Sequence, residues 1–336
     1  MNKTLIIESC EKRINEDFSN TSIVHVRNSM IIAKEVGCDL VSHDSQIDMN
    51  KIYDNIICAY ASPYMKYKKY LPILLSNPNA KMYWMVNDHD LEDNILLRNW
   101  VLETNKQYNV ICNNPRSGYR HWILAKNINN KKLNDYINNW YTINLNCLVF
   151  NQLANVAPSN DLFARKKSGC IYFGTFRKHR SEDMLRYNGA DYTISTSTKN
   201  QIKYKDANIS ANFIDKIGWQ IGKEDLANYK YSIYFEDKHT HDNYAFMANR
   251  YYECLMCNVL MFFDYKCSLV MERSGYKIAP SMIVKNGSDL NDTIKELDND
   301  SVTFQYLLEI QRSNIPLIIK ERSEVLLTLK NIFVTT

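Results

Sequence analysis

Short β-branched runs alternate with helix-patterned stretches along most of this sequence, and the alternation occurs twice. In the first half, residues 4–7, 38–42, 55–59, 81–86 and 109–112 read as strands, with helix patterns near 22–35, 64–75 and 90–103. Strand, helix, strand in repetition predicts a parallel sheet covered on both faces. Residues 155–168 (NVAPSNDLFARKKS) lose the apolar periodicity and gather Pro, Ser, Asn and charge, as an interdomain linker does. The same grammar then restarts, with strands expected at 169–174, 191–195, 231–235, 258–263 and 281–284 and helices at 180–187, 244–254 and 290–297. Residues 302–333 read as helical with an interruption at Pro316. The expected fold class is α/β, with two Rossmann-like doubly wound domains facing a central cleft. Their expected limits are 1–160, completed by a C-terminal helix over 318–336, and 165–317. A length of 336 residues suits two such cores. Ligands of this architecture bind in the crevice at the carboxyl ends of the strands.

Composition removes several other classes. No apolar run approaches the roughly 18 residues of a membrane-spanning helix, and MNKTLIIESCEKR carries no secretory pattern, so a cytoplasmic protein without a membrane partner is expected. The nine cysteines are an odd number and several sit in apolar runs, which predicts buried thiols in place of a disulfide framework. Cys254 and Cys257 have C-x-x-C spacing, but no second pair completes a zinc site, so they read as core and no metal site is assigned. A net charge of +4 permits an anionic partner without requiring one.

Three constellations can carry chemistry. In KMYWMVNDHD (81–90) an apolar strand ends in Asn87, Asp88, His89 and Asp90. Asp88 at a strand's carboxyl end can act as a general base toward an alcohol, or it can cap the next helix. In GCIYFGTFRKHR (169–180) a strand runs into Gly174 and Thr175, then Arg177 and Arg180. Glycine admits close approach, a helix start offers free N–H groups and guanidiniums pair with phosphate, which together make a diphosphate cradle; the alternative is a turn with a solvated basic helix start. In residues 231–264, Arg250 and Glu253 stand three apart on one helical face and can address a phosphate and a ribose, or pair with each other. His239, His241 and Asp242 in the same segment are either metal ligands or part of a hydrated loop.

At these residues the sequence resembles the DNA glucosyltransferases of T-even bacteriophages, and most closely the β-glucosyltransferase type. IYFGTFRKHRSEDML is similar to that family's strand, Gly, Ser/Thr, Phe-Arg and second arginine. DKHTHDN followed by RYYE resembles its DK…DN loop and R-x-x-E helix, and KMYWMVNDHD sits where the family has the strand ending in its catalytic aspartate. The two strand-end arginines are three apart here and four apart in the family. Two extra residues separate Asp242–Asn243 from Arg250, and His25 lies near the position of an early family carboxylate.

The resemblance implies a GT-B fold and a hexosyltransferase. It implies a UDP-sugar donor, with Mg or Mn as a compatible but not required metal. Asp88 is implied as general base, Gly174, Thr175, Arg177, Arg180 and Arg250 at the donor phosphates, and Glu253 on ribose. The implied acceptor is a hydroxymethylated pyrimidine in phage duplex DNA, modified by a monomeric enzyme in the host cytoplasm. Lys66, Lys68 and Lys69 in MKYKKY, with Arg116 and Arg120 in RSGYRH, are then candidates for DNA backbone contact, or else solvated faces. The rivals are a glycosyltransferase of the same architecture acting on a polysaccharide or other small acceptor, and a catalytically idle DNA-binding protein.

Overall fold

In a computed structural model the described residues are 3–8, 24–42, 48, 50–59, 71–86, 106–117, 136–150, 166–217, 225–237 and 242–334. The chain divides into two compact units, Met1–Leu148 with Glu321–Thr336, and Val149–Lys320.

The first unit is built on strands β1 (Thr4–Glu8), β2 (Asp39–Ser42), β3 (Asn55–Ala59), β4 (Lys81–Val86), β5 (Tyr108–Cys112) and β6 (Ile137–Thr142). They form one parallel sheet in the order β2-β1-β3-β4-β5-β6. Helix α1 (Val24–Ile32), ending in a π-turn at Ala33–Gly37, connects β1 to β2, and α2 (Leu71–Ser76) precedes β4. One face of the sheet buries Leu5, Ile7, Ile56, Cys58, Met82, Trp84, Val110 and Cys112 in a single cluster with Ile73 and Leu74 of α2. Burial on both faces is why these strands are apolar at consecutive positions and legible as runs.

The second unit holds β7 (Cys170–Phe173), β8 (Thr193–Ser195), β9 (Asn212–Ile214), β10 (Tyr231–Tyr234), β11 (Leu260–Asp264) and β12 (Ile283–Val284). Its order, β12-β11-β10-β7-β8-β9, reverses direction between β10 and β7. That is the doubly wound Rossmann order, with its switch point between those two strands. The helices are α3 (Lys178–Met184), α4 (Thr198–Asp206), α5 (Asn249–Met256), α6 (Ser268–Ser274), α7 (Gly287–Asn299) and α8 (Ser301–Arg312).

The last helix, α9 (Ile315–Val334), begins after a break at Ser313 and Asn314. The break precedes Pro316, which sits in the first turn, where its missing N–H costs nothing. Asn314 is fully buried and holds the break: its amide donates to the Tyr251 hydroxyl at 3.0 Å and to the Lys277 carbonyl at 2.9 Å, and its oxygen accepts from the Lys277 N–H at 2.8 Å. The C-terminal end of α9 packs on the first unit's sheet. Its terminal carbonyls are satisfied by side chains that explain otherwise costly buried polar groups: Asn55 donates to Phe333 O at 2.9 Å and Thr4 at 3.4 Å, while Tyr83 donates to Ile332 O at 3.5 Å. The Phe333 ring stands edge-on to Tyr83 with centroids 5.0 Å apart.

Two strands and two helices were not expected from the sequence. β6 (INNWYT) is an edge strand with five of its six side chains exposed or half-buried, β9 is three residues long, α4 buries only Tyr204, and α6 is only seven residues long. None presents the apolar period that marks an element. Residues 155–165 of the expected linker, and the expected helix 90–103, lie outside the described residues.

Phe333→Ala is expected to cost about 3–5 kcal/mol in denaturant unfolding, as for other fully buried aromatics. A loss below about 1 kcal/mol would mean that α9 is not part of the first unit's core.

Candidate functional site

The carboxyl ends of β7 and β10 flank the second sheet's switch point, and the sequence-derived donor residues gather there. β7 ends in Gly174 and Thr175, with Arg177 as the extended residue before α3 (φ −135°, ψ 129°). β10 runs into Phe235, Glu236 and Asp237, and α5 carries Arg250 and Glu253.

Arg177 and Arg180 have opposite environments. Arg177 is exposed, whereas Arg180 is 6 % exposed and turns inward. Its guanidinium donates to the Tyr172 hydroxyl at 2.8 Å and the Thr175 carbonyl at 3.4 Å, and reaches Glu236 and Asp237, each at 3.4 Å. Arg250 lies on the other side of Glu236, with an ion pair of 3.2 Å and a hydrogen bond to the Phe235 carbonyl. Its guanidinium carbon lies 5.2 Å from the Tyr172 ring centre and 5.4 Å from that of Tyr234. Glu236 is 3 % exposed, so one buried carboxylate bridges the buried Arg180 and the slightly exposed Arg250.

Burial alone would lower the pKa of Arg180. The oxygens of Tyr172, Glu236 and Asp237 outweigh it and hold the group well above its usual value. At Arg250 burial is likewise the largest influence and is overcome, chiefly by Glu236 and then Tyr172. Both cations stay charged because counter-charge replaces the lost water.

Gly174 is required here by the chain itself. A Cβ at that position would meet the Tyr172 hydroxyl at 2.9 Å, the group that accepts from Arg180. Glu253 is buried one turn beyond Arg250 on α5. The ion pair of Arg250 is with Glu236, which sequence spacing did not suggest because the two stand on different elements. The signal available was the position of Phe235, Glu236 and Asp237 just past an apolar strand.

Asp264, at the end of β11, has a structural role: it is 1 % exposed and accepts from Arg186 at 2.9 Å, Tyr187 at 2.6 Å and the Lys266 N–H at 3.0 Å. Cys254 and Cys257 are buried, and burial pushes the Cys254 thiol well up. Among the described residues no three His, Cys, Asp or Glu stand together as a metal cage. Of the remaining sequence-derived positions, Arg116 is half-buried just beyond β5. Asp88, Lys66, Lys68, Lys69, Arg120, His239 and His241 lie outside the described residues.

No protein-family model matches the sequence, and no curated protein is similar to it in sequence. Solved structures are similar over nearly the whole chain. The T4 phage β-glucosyltransferase, described as a DNA-modifying enzyme, matches in its complex with UDP-glucose with a TM-score of 0.70 at 16% identity, covering 99% of this chain and 100% of that one. The same enzyme with UDP and Mn2+ gives 0.68 at 17% identity, again over 99% and 100% of the two chains. Anabaena HepE with UDP-glucose gives 0.53 at 10% identity, over 98% and 100%. These likenesses, with the two parallel six-stranded sheets, establish the fold as the α/β two-domain GT-B type.

Gly174→Ala is expected to destabilise the second unit by about 1–3 kcal/mol through overpacking against Tyr172. Combined with Tyr172→Phe, which removes the clashing hydroxyl, the total should fall clearly below the sum of the single changes. Strict additivity in unfolding measurements would show that the two groups do not meet.

Proposed function

We propose that this chain is a hexosyltransferase that moves a sugar, glucose in the first instance, from a UDP-sugar to the hydroxymethyl group of 5-hydroxymethylcytosine or 5-hydroxymethyluracil in duplex DNA. The observation that carries the donor half is the convergence of Arg180 and Arg250 on Glu236 at the switch point, in a fold shared with proteins bound to UDP-glucose. The cluster balances two guanidiniums against Glu236 and Asp237, so the attraction for a diphosphate comes from the neighbouring exposed Arg177 and Lys178. In this reading Arg177 and Arg250 contact the phosphates, beside Gly174 and Thr175. Arg180 fixes Glu236 and supplies field, and Glu253 takes the ribose hydroxyls.

Asp88 removes the proton of the hydroxymethyl group. The oxygen attacks the anomeric carbon, and UDP leaves with the electrons of the broken C–O bond while the arginines stabilise its charge. The base is reached outside the stack, which requires flipping, and Lys66, Lys68, Lys69, Arg116 and Arg120 hold the backbone. A divalent metal is compatible, because a diphosphate brings its own oxygen ligands and UDP is accompanied by Mn2+ in one T4 phage β-glucosyltransferase structure. No step here is routed through it.

A second acceptor class, in which a saccharide hydroxyl takes the place of the hydroxymethyl group, would use the same donor machinery. Incubation with UDP-glucose and hydroxymethylated duplex, plain duplex or polysaccharide separates the two readings. Transfer to hydroxymethylated duplex alone supports the first, and transfer to polysaccharide alone replaces it. Asp88→Ala is expected to bind UDP normally and to lose roughly 10²–10⁴ in transfer rate, and wild-type turnover would make Asp88 only a helix cap. Arg250→Ala or Arg177→Ala should weaken UDP binding itself, and unchanged affinity in calorimetry would remove them from the donor site.

A further inference from the structure

Beside edge strand β6 of the first unit lies a groove of about 650 Å³ whose mixed lining includes Lys81, Lys106, Asn109, Asn138, Asn139 and Tyr141, with α9 forming one wall. It sits at the amino ends of β4, β5 and β6, the opposite end of the sheet from the crevice where the acceptor reading places its chemistry. Met82 of β4 is in register with Tyr108 of β5, so Lys81 stands level with Gln107 and Lys106 one residue further out, at the same end of adjacent strands. No carboxylate lines the groove among the described residues, and neither ammonium has an ion-pair partner among them. Two neighbouring cations without counter-charge repel each other, and an anion relieves that repulsion.

The amides around them are already oriented. Asn138 and Asn139 both donate to the Asn109 side-chain oxygen, at 3.4 and 3.0 Å, and Asn109 donates to the Met82 carbonyl at 3.1 Å. Each of the two β6 amides keeps a further N–H to offer. Lysine, asparagine and tyrosine without acids are the residue types that contact phosphodiester oxygens. At the other end of the same edge stands Arg116. Its segment is tied to β6 by the Trp140 indole and the Thr142 hydroxyl, which donate to Asn114 O at 2.8 and 3.3 Å. From Ile137 to Thr142 the strand rises roughly 17 Å, the length of about five base pairs.

We propose that the β6 edge is a track for the phosphodiester backbone flanking the target base, with Arg116 at one end and the Lys81/Lys106 groove at the other. The inference rests on duplex DNA being the acceptor, and its test does not use turnover. Binding of a plain duplex of about 24 base pairs, long enough to extend past the strand on both sides of a central pair, is followed against salt without UDP-sugar. The double variant Lys81→Gln/Lys106→Gln is expected to bind more weakly, with log K against log[salt] shallower by roughly 1.8, at about 0.9 per lost phosphate contact. Both side chains are at least partly exposed, so the substitutions leave the core untouched. An unchanged slope overturns the track while leaving the glycosyltransferase reading intact, as does a wild-type chain that binds no duplex yet transfers sugar to a smaller acceptor. Binding of a neutral dextran oligomer weakened by the same substitutions assigns the groove to a saccharide and overturns the proposal as well.

Discussion

The Glu236 carboxylate, buried between the guanidiniums of Arg180 and Arg250, is the interaction on which the switch-point end of the second unit's sheet depends. A parallel sheet with a reversal between β10 and β7 leaves the carboxyl ends of those strands uncovered by their own crossovers. The chain fills that place with charge. Each ion would be costly alone in such a setting, and deleting one partner of a buried pair typically costs about 3–5 kcal/mol. The geometry therefore stands or falls as a set: Gly174 makes room for the Tyr172 hydroxyl, Tyr172 accepts from Arg180, Arg180 meets Glu236 and Asp237, and Glu236 meets Arg250. Elements distant in sequence are held in one arrangement before any ligand arrives, which is what a preorganised electrostatic site requires.

The same set separates architecture from attraction. Its two cations and two anions cancel, so it orients without greatly favouring a further anion. On the proposed reading, exposed Arg177 and Lys178 draw a diphosphate in. Arg177 and Arg180, three residues apart, have different tasks because the helix begins between them: the extended backbone of Arg177 turns it to solvent while Arg180 lies under the first turn.

How much of this was legible in the sequence follows from burial. Interior strands such as β3 (NIICA) and β11 (LMFFD) are covered on both faces and show as uninterrupted apolar runs. The edge strand β6 carries Asn138 and Asn139, which face outward, and looks like loop. Gly174, Thr175, Arg177 and Arg180 could be picked out as donor candidates because glycine and arginine at a strand end are conspicuous. Glu236 was missed because its partners are Arg180, 56 residues earlier, and Arg250, 14 later, and no local period links them. The sequence suggested Arg250 with Glu253 from helical spacing alone, and folding supplied a partner from the neighbouring strand end instead.

The central claim is that the β7 and β10 strand ends receive the donor diphosphate, and a crystal structure of the chain soaked with UDP tests it most directly. The account predicts diphosphate density within about 3 Å of the Arg177 and Arg250 guanidiniums, as charge-assisted hydrogen bonds require, with the Arg180–Glu236 contact retained. Density elsewhere, or a diphosphate reached by neither arginine, would contradict it.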